Sequence, residues 1–437
     1  MTMLRALSAA TLACALWTLP AQAATLLQVF EDAQQQDAQL RAAEAEYRAV
    51  LEARPLARSA QLPQISADAE LGYFYSDPDG QADVDGTRRE IGLNLNQSLF
   101  DQRTRIDLRQ ADLQIQRASA SLDAARQDLI LRVSEAYFGV LVAQETLEFR
   151  RAEREAISRQ LEQTKRRFEV GLIAITDVKE AQAQFDIAAA QEIAAENALN
   201  LAQERLAVIT NRYYDRLANL GETLELARPD PLDPQQWVDA ALQANQELLA
   251  QRLATEAARE QIARQRAEGL PTLGLGASVG DTAFSGAGNN PQFTDRTEAN
   301  VGLRLNIPLY TGGRVSALTR EAREQFEAAQ ETLVLTERLT VQNTRSSYLS
   351  VLANASVAEA LAQALLSTEA AFDSAQAGFE VGTRTQVDVL IALREVFRAR
   401  RDFSEARYGY LLDTLRLQRA IGSLSVADLQ RISQLLQ

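Results

Sequence analysis

The chain has 437 residues, with 45 Lys or Arg against 59 Asp or Glu, a formal charge of −14. So acidic a chain is not expected to seek nucleic acid or anionic lipid. It has no His, and its single Cys is Cys14, which excludes disulfides, imidazole bases and nearly all zinc or copper sites. No catalytic constellation or cofactor motif replaces them, so an enzyme is not expected.

Residues 1–23 read as a signal peptide. Arg5 supplies the positive region, Leu7 to Leu19 the apolar core, and Ala21-Gln22-Ala23 the small-residue cleavage site. Cys14 leaves with it, as does Arg5, so 44 bases remain against 59 acids and the mature charge is −15. No run of 18 consecutive apolar residues follows, so any membrane span is expected to be built from strands.

Residues 24–233 and 234–437 read as two structural repeats. The first predicts a helix from Leu26 to Ala60, with Pro55 as its kink, then strands over about 64–100. A very long helix over 101–170 and a return helix over 177–211 follow. The second predicts a helix, strands over about 271–310, a long helix over 314–379 and a return helix over 384–421. Segments 212–233 and 422–437 are left to gather as a belt. Arg314 to Ala377 contains neither Gly nor Pro, enough for a helix of roughly 95 Å. Heptad strings such as Val334, Val341, Tyr348, Ala355 and Ala362 predict coiled-coil packing. The two short helices together match the long one, which predicts that they lie along it with a junction at mid-height.

The evidence for duplication is local and sharp. Phe168-Glu169-Val170-Gly171, with Asp177-Val178 further on, recurs 211 residues later as Phe379-Glu380-Val381-Gly382 with Asp388-Val389. The same offset maps Tyr137 onto Tyr348 and Leu206 onto Leu417.

The strand segments alternate with period two. Ile65, Ala67, Ala69, Leu71, Tyr73 and Tyr75 share one face, as do Ile91, Leu93 and Leu95; Leu273, Leu275, Ala277 and Val279; and Val301, Leu303, Leu305 and Ile307. Aromatics stand at the ends (Tyr73, Tyr75, Phe100, Tyr310), the pattern of an outer-membrane barrel strand. Four strands cannot close a barrel, and lipid tolerates no open edge, so the chain must oligomerise. Small or polar inward residues favour twelve strands around a lumen, hence a homotrimer. The fold class is therefore an α+β membrane protein: duplicated strand hairpins and long coiled-coil helices, forming a trimeric 12-stranded β-barrel. The acidic loop of Asp77, Asp79, Asp83 and Asp85 does not fit a calcium loop and reads as solvated.

Leu270-Pro271-Thr272-Leu273, Ile307-Pro308-Leu309-Tyr310-Thr311-Gly312-Gly313, Val170-Gly171-Leu172 and Gly382-Thr383-Arg384-Thr385 resemble the TolC-type outer-membrane efflux proteins over nearly the whole mature chain. The resemblance implies that the barrel is continued by an α-helical periplasmic tunnel, and that the whole is an exit duct in the outer membrane, passing drugs or proteins from an inner-membrane RND or ABC transporter through a periplasmic adaptor (membrane fusion) protein. It implies that Asp388 forms an acidic ring at the entrance, although Asp388 also fits a capping box with Thr385. It implies that Arg384, Thr176, Asp177 and Phe379 lie in the lock that closes the entrance. Phe379 lacks the hydroxyl of the tyrosine found there in relatives, which puts one link in doubt, and Ile391 stands where a second acidic position often lies. Gly171, Leu172, Gly382 and Thr383 are the tips expected to dock the adaptor. The alternative function is a periplasmic coiled-coil adaptor, which would not need four lipid-patterned strands.

Overall fold

A computed structural model describes residues 23–76, 83–221, 224, 226–286 and 293–436. Residues 1–22 of the expected signal peptide, and Asp77 and Asp79 of the acidic loop, lie outside them. The first repeat runs α1 (Leu26–Gln36), α2 (Ala38–Leu51), α3 (Ala53–Ser59), β1 (Gln64–Ser76), β2 (Val84–Phe100), α4 (Gln102–Glu169) and α5 (Ile175–Thr210). The second runs α6 (Pro234–Ala244), α7 (Gln246–Ala267), β3 (Thr272–Ser285), β4 (Arg296–Asn306), α8 (Arg314–Glu380), α9 (Gln386–Ala420) and α10 (Val426–Ser433).

The segment expected as one helix from Leu26 to Ala60 is three helices, and its main break is not at Pro55. Asp37 leaves the helical conformation (ψ 119°), and its carboxylate accepts the Leu40 N–H at 2.7 Å. Arg132 on α4 holds the same carboxylate with two bonds of 3.0 Å. Burial alone would raise the Asp37 carboxyl, but the Arg132 and Leu40 bonds outweigh it and hold the group below its ordinary value. Pro55 falls in the first turn of α3, where a missing N–H costs nothing. Asn245 repeats the device, ending α6 and accepting the Leu248 N–H at 2.9 Å to start α7.

The strands form one antiparallel sheet in the order β1-β2-β3-β4. Its register aligns Ala67, Leu93, Val279 and Ala299 in one row and Ile65, Leu95, Ala277 and Val301 in the next. This face is bare: Ile65 is 72% and Val301 79% exposed. The opposite face aligns Ser66, Asn94, Ser278 and Asn300. Near its end β2 bulges between Ser98 and Phe100, so that Phe100 pairs with Leu273 and joins the apolar face. β1 and β4 are unpaired edges.

Below the sheet α7 packs between α4 and α8; further down α9 packs between them and α5 packs on α4. Ion pairs mark the layers: Arg109–Glu260 (2.8 Å) joins α4 to α7, and Arg154–Glu192 (2.9 Å) joins α4 to α5. The main core sits where the layers meet. Tyr137 and Phe138 of α4, Tyr348 of α8 and Tyr408 of α9 pack there with Leu26, Trp237 and Leu429. The flanking segments gather at the same level: residue 217 bridges to residue 24, and residue 220 to residue 436. The Tyr137 hydroxyl donates to Ala218 O at 2.8 Å, and Tyr348 donates to Leu232 O, so both long helices hold the one segment 212–233. Burial pushes the Tyr137 hydroxyl far above its usual range, leaving it protonated and able to donate.

Seam positions of α8 at mid-length, Tyr348, Val351, Ala355 and Ala358, are buried, whereas Val334 is exposed. One 18-residue stretch of α8 reaches a mean hydropathy of 1.5 with only 17% of it buried, although no unbroken apolar run exists. The exposed Leu349, Val357 and Leu366 of α8, and Ile187, Ile193 and Leu201 of α5, give both lateral helices apolar edges left uncovered among the described residues.

Candidate functional site

The two helical hairpins turn at equivalent points. Gly171 has φ +75° and Gly382 φ +81°, the left-handed region that a residue bearing Cβ enters at a cost. At the first tip the Leu172 N–H donates to Arg167 O (2.9 Å) and the Gly171 N–H to Phe168 O (2.9 Å). At the second, the Thr383 N–H donates to Gly378 O (2.8 Å) and the Gly382 N–H to Phe379 O (3.1 Å). Both are the same two-bond helix ending, which satisfies carbonyls the helix leaves orphaned.

The side chains differ. After the first glycine come Leu172, Ile173 and Ala174, and Ala174 stands at the cap of α5 with no side-chain hydrogen bond to it. Leu172 is 72% exposed and the preceding Val170 69%. After the second come Thr383, Arg384 and Thr385, and α9 starts with a full capping box. The Asp388 carboxylate accepts from both the Thr385 N–H and its hydroxyl at 2.8 Å, while the Asp388 N–H donates to Thr385 Oγ1 at 3.2 Å. The Thr385 bonds, joined by the charge of Arg384, hold the Asp388 carboxyl below its ordinary value. It is an anion at neutral pH.

A cleft of about 560 Å³ lies between the hairpins, lined by Asp177, Phe379, Thr385, Ile391 and Arg394 among others. It unites two of the four residues expected in the lock, Asp177 and Phe379. Thr176 and Arg384 do not line it, and among the described residues no hydrogen bond or ion pair joins Arg384 to Thr176 or Asp177. Phe379 has a different neighbour: the Arg167 guanidinium lies over its ring, 4.6 Å from the centroid. Periodicity could not find this contact, since Arg167 reads only as a cation favouring a helix C-terminus.

Higher in the hairpins Glu153 is almost completely buried. Arg150 bonds it at 2.6 Å, and Arg394 of α9 lies at 3.6 Å while donating to Gln184 of α5 at 3.0 Å. One buried acid thus ties α4, α5 and α9 together, which gives the tips a common base.

The family model described as outer membrane efflux protein matches residues 29–212 and 237–423. The chain is 39% identical to the outer membrane protein TolC of Vibrio cholerae, over 97% of this chain and 95% of that protein. It is 31% identical to the alkaline protease secretion protein AprF of Pseudomonas aeruginosa, over 93% of this chain and 86% of that one. Its fold is similar to that of the Campylobacter jejuni CmeC outer membrane channel, with a TM-score of 0.78 at 16% identity, covering 94% of this chain and 90% of that one.

Proposed function

The chain belongs to the outer membrane efflux protein family, and we propose that three copies close into one exit duct of the outer membrane, continued by a helical tunnel through the periplasm. The observation that supports this is the state of a single copy. Its sheet has two open edges and a bare apolar face, and its helical layer ends in two apolar lateral helices. β1 and β4 are different edges, as are α5 and α8, so copies join head to tail and close by rotation. Three copies of four strands make a twelve-stranded barrel, wide enough to leave a lumen lined by the polar face.

The role is transport rather than catalysis. Kinship with TolC and with a protease secretion protein supports export of drugs and of proteins through the same duct, delivered by an inner-membrane RND or ABC transporter and a periplasmic adaptor that docks on the tips around Gly171-Leu172 and Gly382-Thr383. A periplasmic adaptor in its own right would not carry a lipid-facing sheet. Three Asp388 carboxylates ring the periplasmic entrance, and Arg384 meets Thr176 or Asp177 as the entrance closes. Planar-bilayer recording tests this. Multivalent cations on the periplasmic side reduce single-channel conductance in the parent and not in Asp388→Ala; equal block in both removes the ring.

A further inference from the structure

We propose that the membrane rim where β2 passes into α4 holds the headgroup of an anionic phospholipid between Arg105 and Arg58. The bulge at Ser98 turns Phe100 onto the lipid face, in register with Leu273 and, through it, Leu305. The Arg105 guanidinium lies over that ring, 5.6 Å from the centroid. It therefore sits on the lipid side of the rim, not the lumen side. Arg58 stands in the last turn of α3, which packs along α4 through the Arg54–Asp112 pair and whose end is tied to the first residue of β1 by the Gln64 side-chain N–H donating to Ser59 O at 2.8 Å. Leu56 and Leu62, flanking Arg58, are exposed at 70% and 48%.

What singles out these two cations is the commitment of the acids around them. Asp101 pairs with Arg103 (2.7 Å), Asp107 with Arg264 (2.7 Å) and Asp112 with Arg54 (3.4 Å). Among the described residues neither Arg105 nor Arg58 has a carboxylate within ion-pair reach. In a chain of net charge −14, two arginines left unmatched beside a lipid-facing surface call for an anion from outside. The overall charge, which argues against anionic lipid, averages over this rim and hides it. The second repeat lacks the pair: Arg266 and Leu270 stand 208 residues beyond Arg58 and Leu62, but the position 211 residues beyond Arg105 is Ser316, and Arg314, the counterpart of Arg103, is neutralised by Glu268 at 2.9 Å. The site belongs to the first repeat alone. A phospholipid headgroup offers the phosphate, and its acyl chains continue over Phe100 and Leu305.

This rests on the outer-membrane placement and not on export, so the test reads lipid rather than conductance. Native mass spectrometry of the detergent-extracted assembly is titrated with phosphatidylglycerol or with phosphatidylcholine of the same acyl chains. Phosphatidylglycerol is expected to be retained preferentially. With about 1 kcal/mol per arginine near a lipid headgroup, R58Q/R105Q weakens that retention at least roughly tenfold, while R314Q leaves it unchanged. F100L, which keeps both charges, weakens it only a few-fold. The same spectra count chains, so a variant that fails to assemble is seen directly, and bilayer conductance of R58Q/R105Q should match the parent. Equal retention of the two lipids, or parental retention by R58Q/R105Q, overturns the site. Displacement of phosphatidylglycerol by inorganic phosphate overturns the lipid assignment and leaves a free-anion site.

Discussion

At the first tip Gly171 turns the chain from Val170 into Leu172, Ile173 and Ala174; at the second, Gly382 turns it from Val381 into Thr383, Arg384 and Thr385. The backbone hydrogen bonds are the same pair in both. One tip is apolar and opens an uncapped helix, whereas the other is polar and opens a helix with a complete capping box. Duplication preserved the residues that lead into the turn, its left-handed glycine and the Asp-Val that opens the next helix, while the three residues after the glycine diverged. The equivalent of Arg167 is Gly378, where an added Cβ would stand 2.8 Å from the Arg384 side chain. Thus Arg167 covers Phe379 across the two hairpins, whereas Arg384 folds back over Gly378 within the second.

The largest effect is expected where the tips are alike. Gly171→Leu or Gly382→Leu forces a branched residue into the left-handed region, at about 1–2 kcal/mol, and puts bulk at the surface proposed to dock the adaptor. Each should abolish antibiotic efflux while the protein still fractionates with the outer membrane. Unchanged resistance in either would separate that tip from docking.

Next come substitutions where the tips differ. Arg384→Ser should raise conductance and antibiotic leakage, and Gly378→Ala should do the same by displacing Arg384. Arg167→Ala removes a cation–aromatic contact of about 0.5–1 kcal/mol and should raise open probability a few-fold in bilayer recordings. Phe379→Tyr restores a hydroxyl beside Asp177 and should lower spontaneous opening. An Arg384→Ser channel that conducts like the parent would return Asp177 to the role of a helix cap.

Smaller still is the exchange of caps. Thr385→Ala should cost about 1 kcal/mol in urea unfolding monitored by circular dichroism. Ala174→Thr should gain a comparable amount, because Asp177 already stands three residues on and would complete the box. No gain would mean that the tips differ in more than the cap.

The smallest effect is in pH. Asp388 has a lowered folded pKa, so its contribution is fully present above the ordinary carboxylate value of about 3.9 and is lost as pH falls through the lower folded value. The stability advantage of the parent over Asp388→Asn should hold at pH 7 and vanish only in strong acid. A difference that disappears near neutrality would contradict the bonds drawn to Thr385.

Much of this was legible in the residues because it is periodic or repeated. The 211-residue offset, the Gly-free long helices and the alternating strands need only short-range patterns. The capping box at Thr385 and the glycine turns are local as well. The breaks at Asp37 and Asn245 were not legible: neither is Gly or Pro, and at Asp37 the side chain is pinned by Arg132, distant in the chain. The bulge at Ser98 was hidden because one inserted residue leaves composition unchanged. Arg167 over Phe379 and Glu153 under Arg394 join helices from different repeats, and no spacing announces them. Among the described residues no hydrogen bond or ion pair joins Thr176 or Arg384 to Asp177, and one sequence does not display contacts between neighbouring copies.

The sheet and the helical layer are both left unfinished in one chain. Native mass spectrometry of the detergent-extracted protein tests that most directly. Three chains per particle, with no stable monomer retaining its strands, is the expected result. A folded monomer stable in detergent would contradict it, because the open edges of β1 and β4 would then need no neighbour.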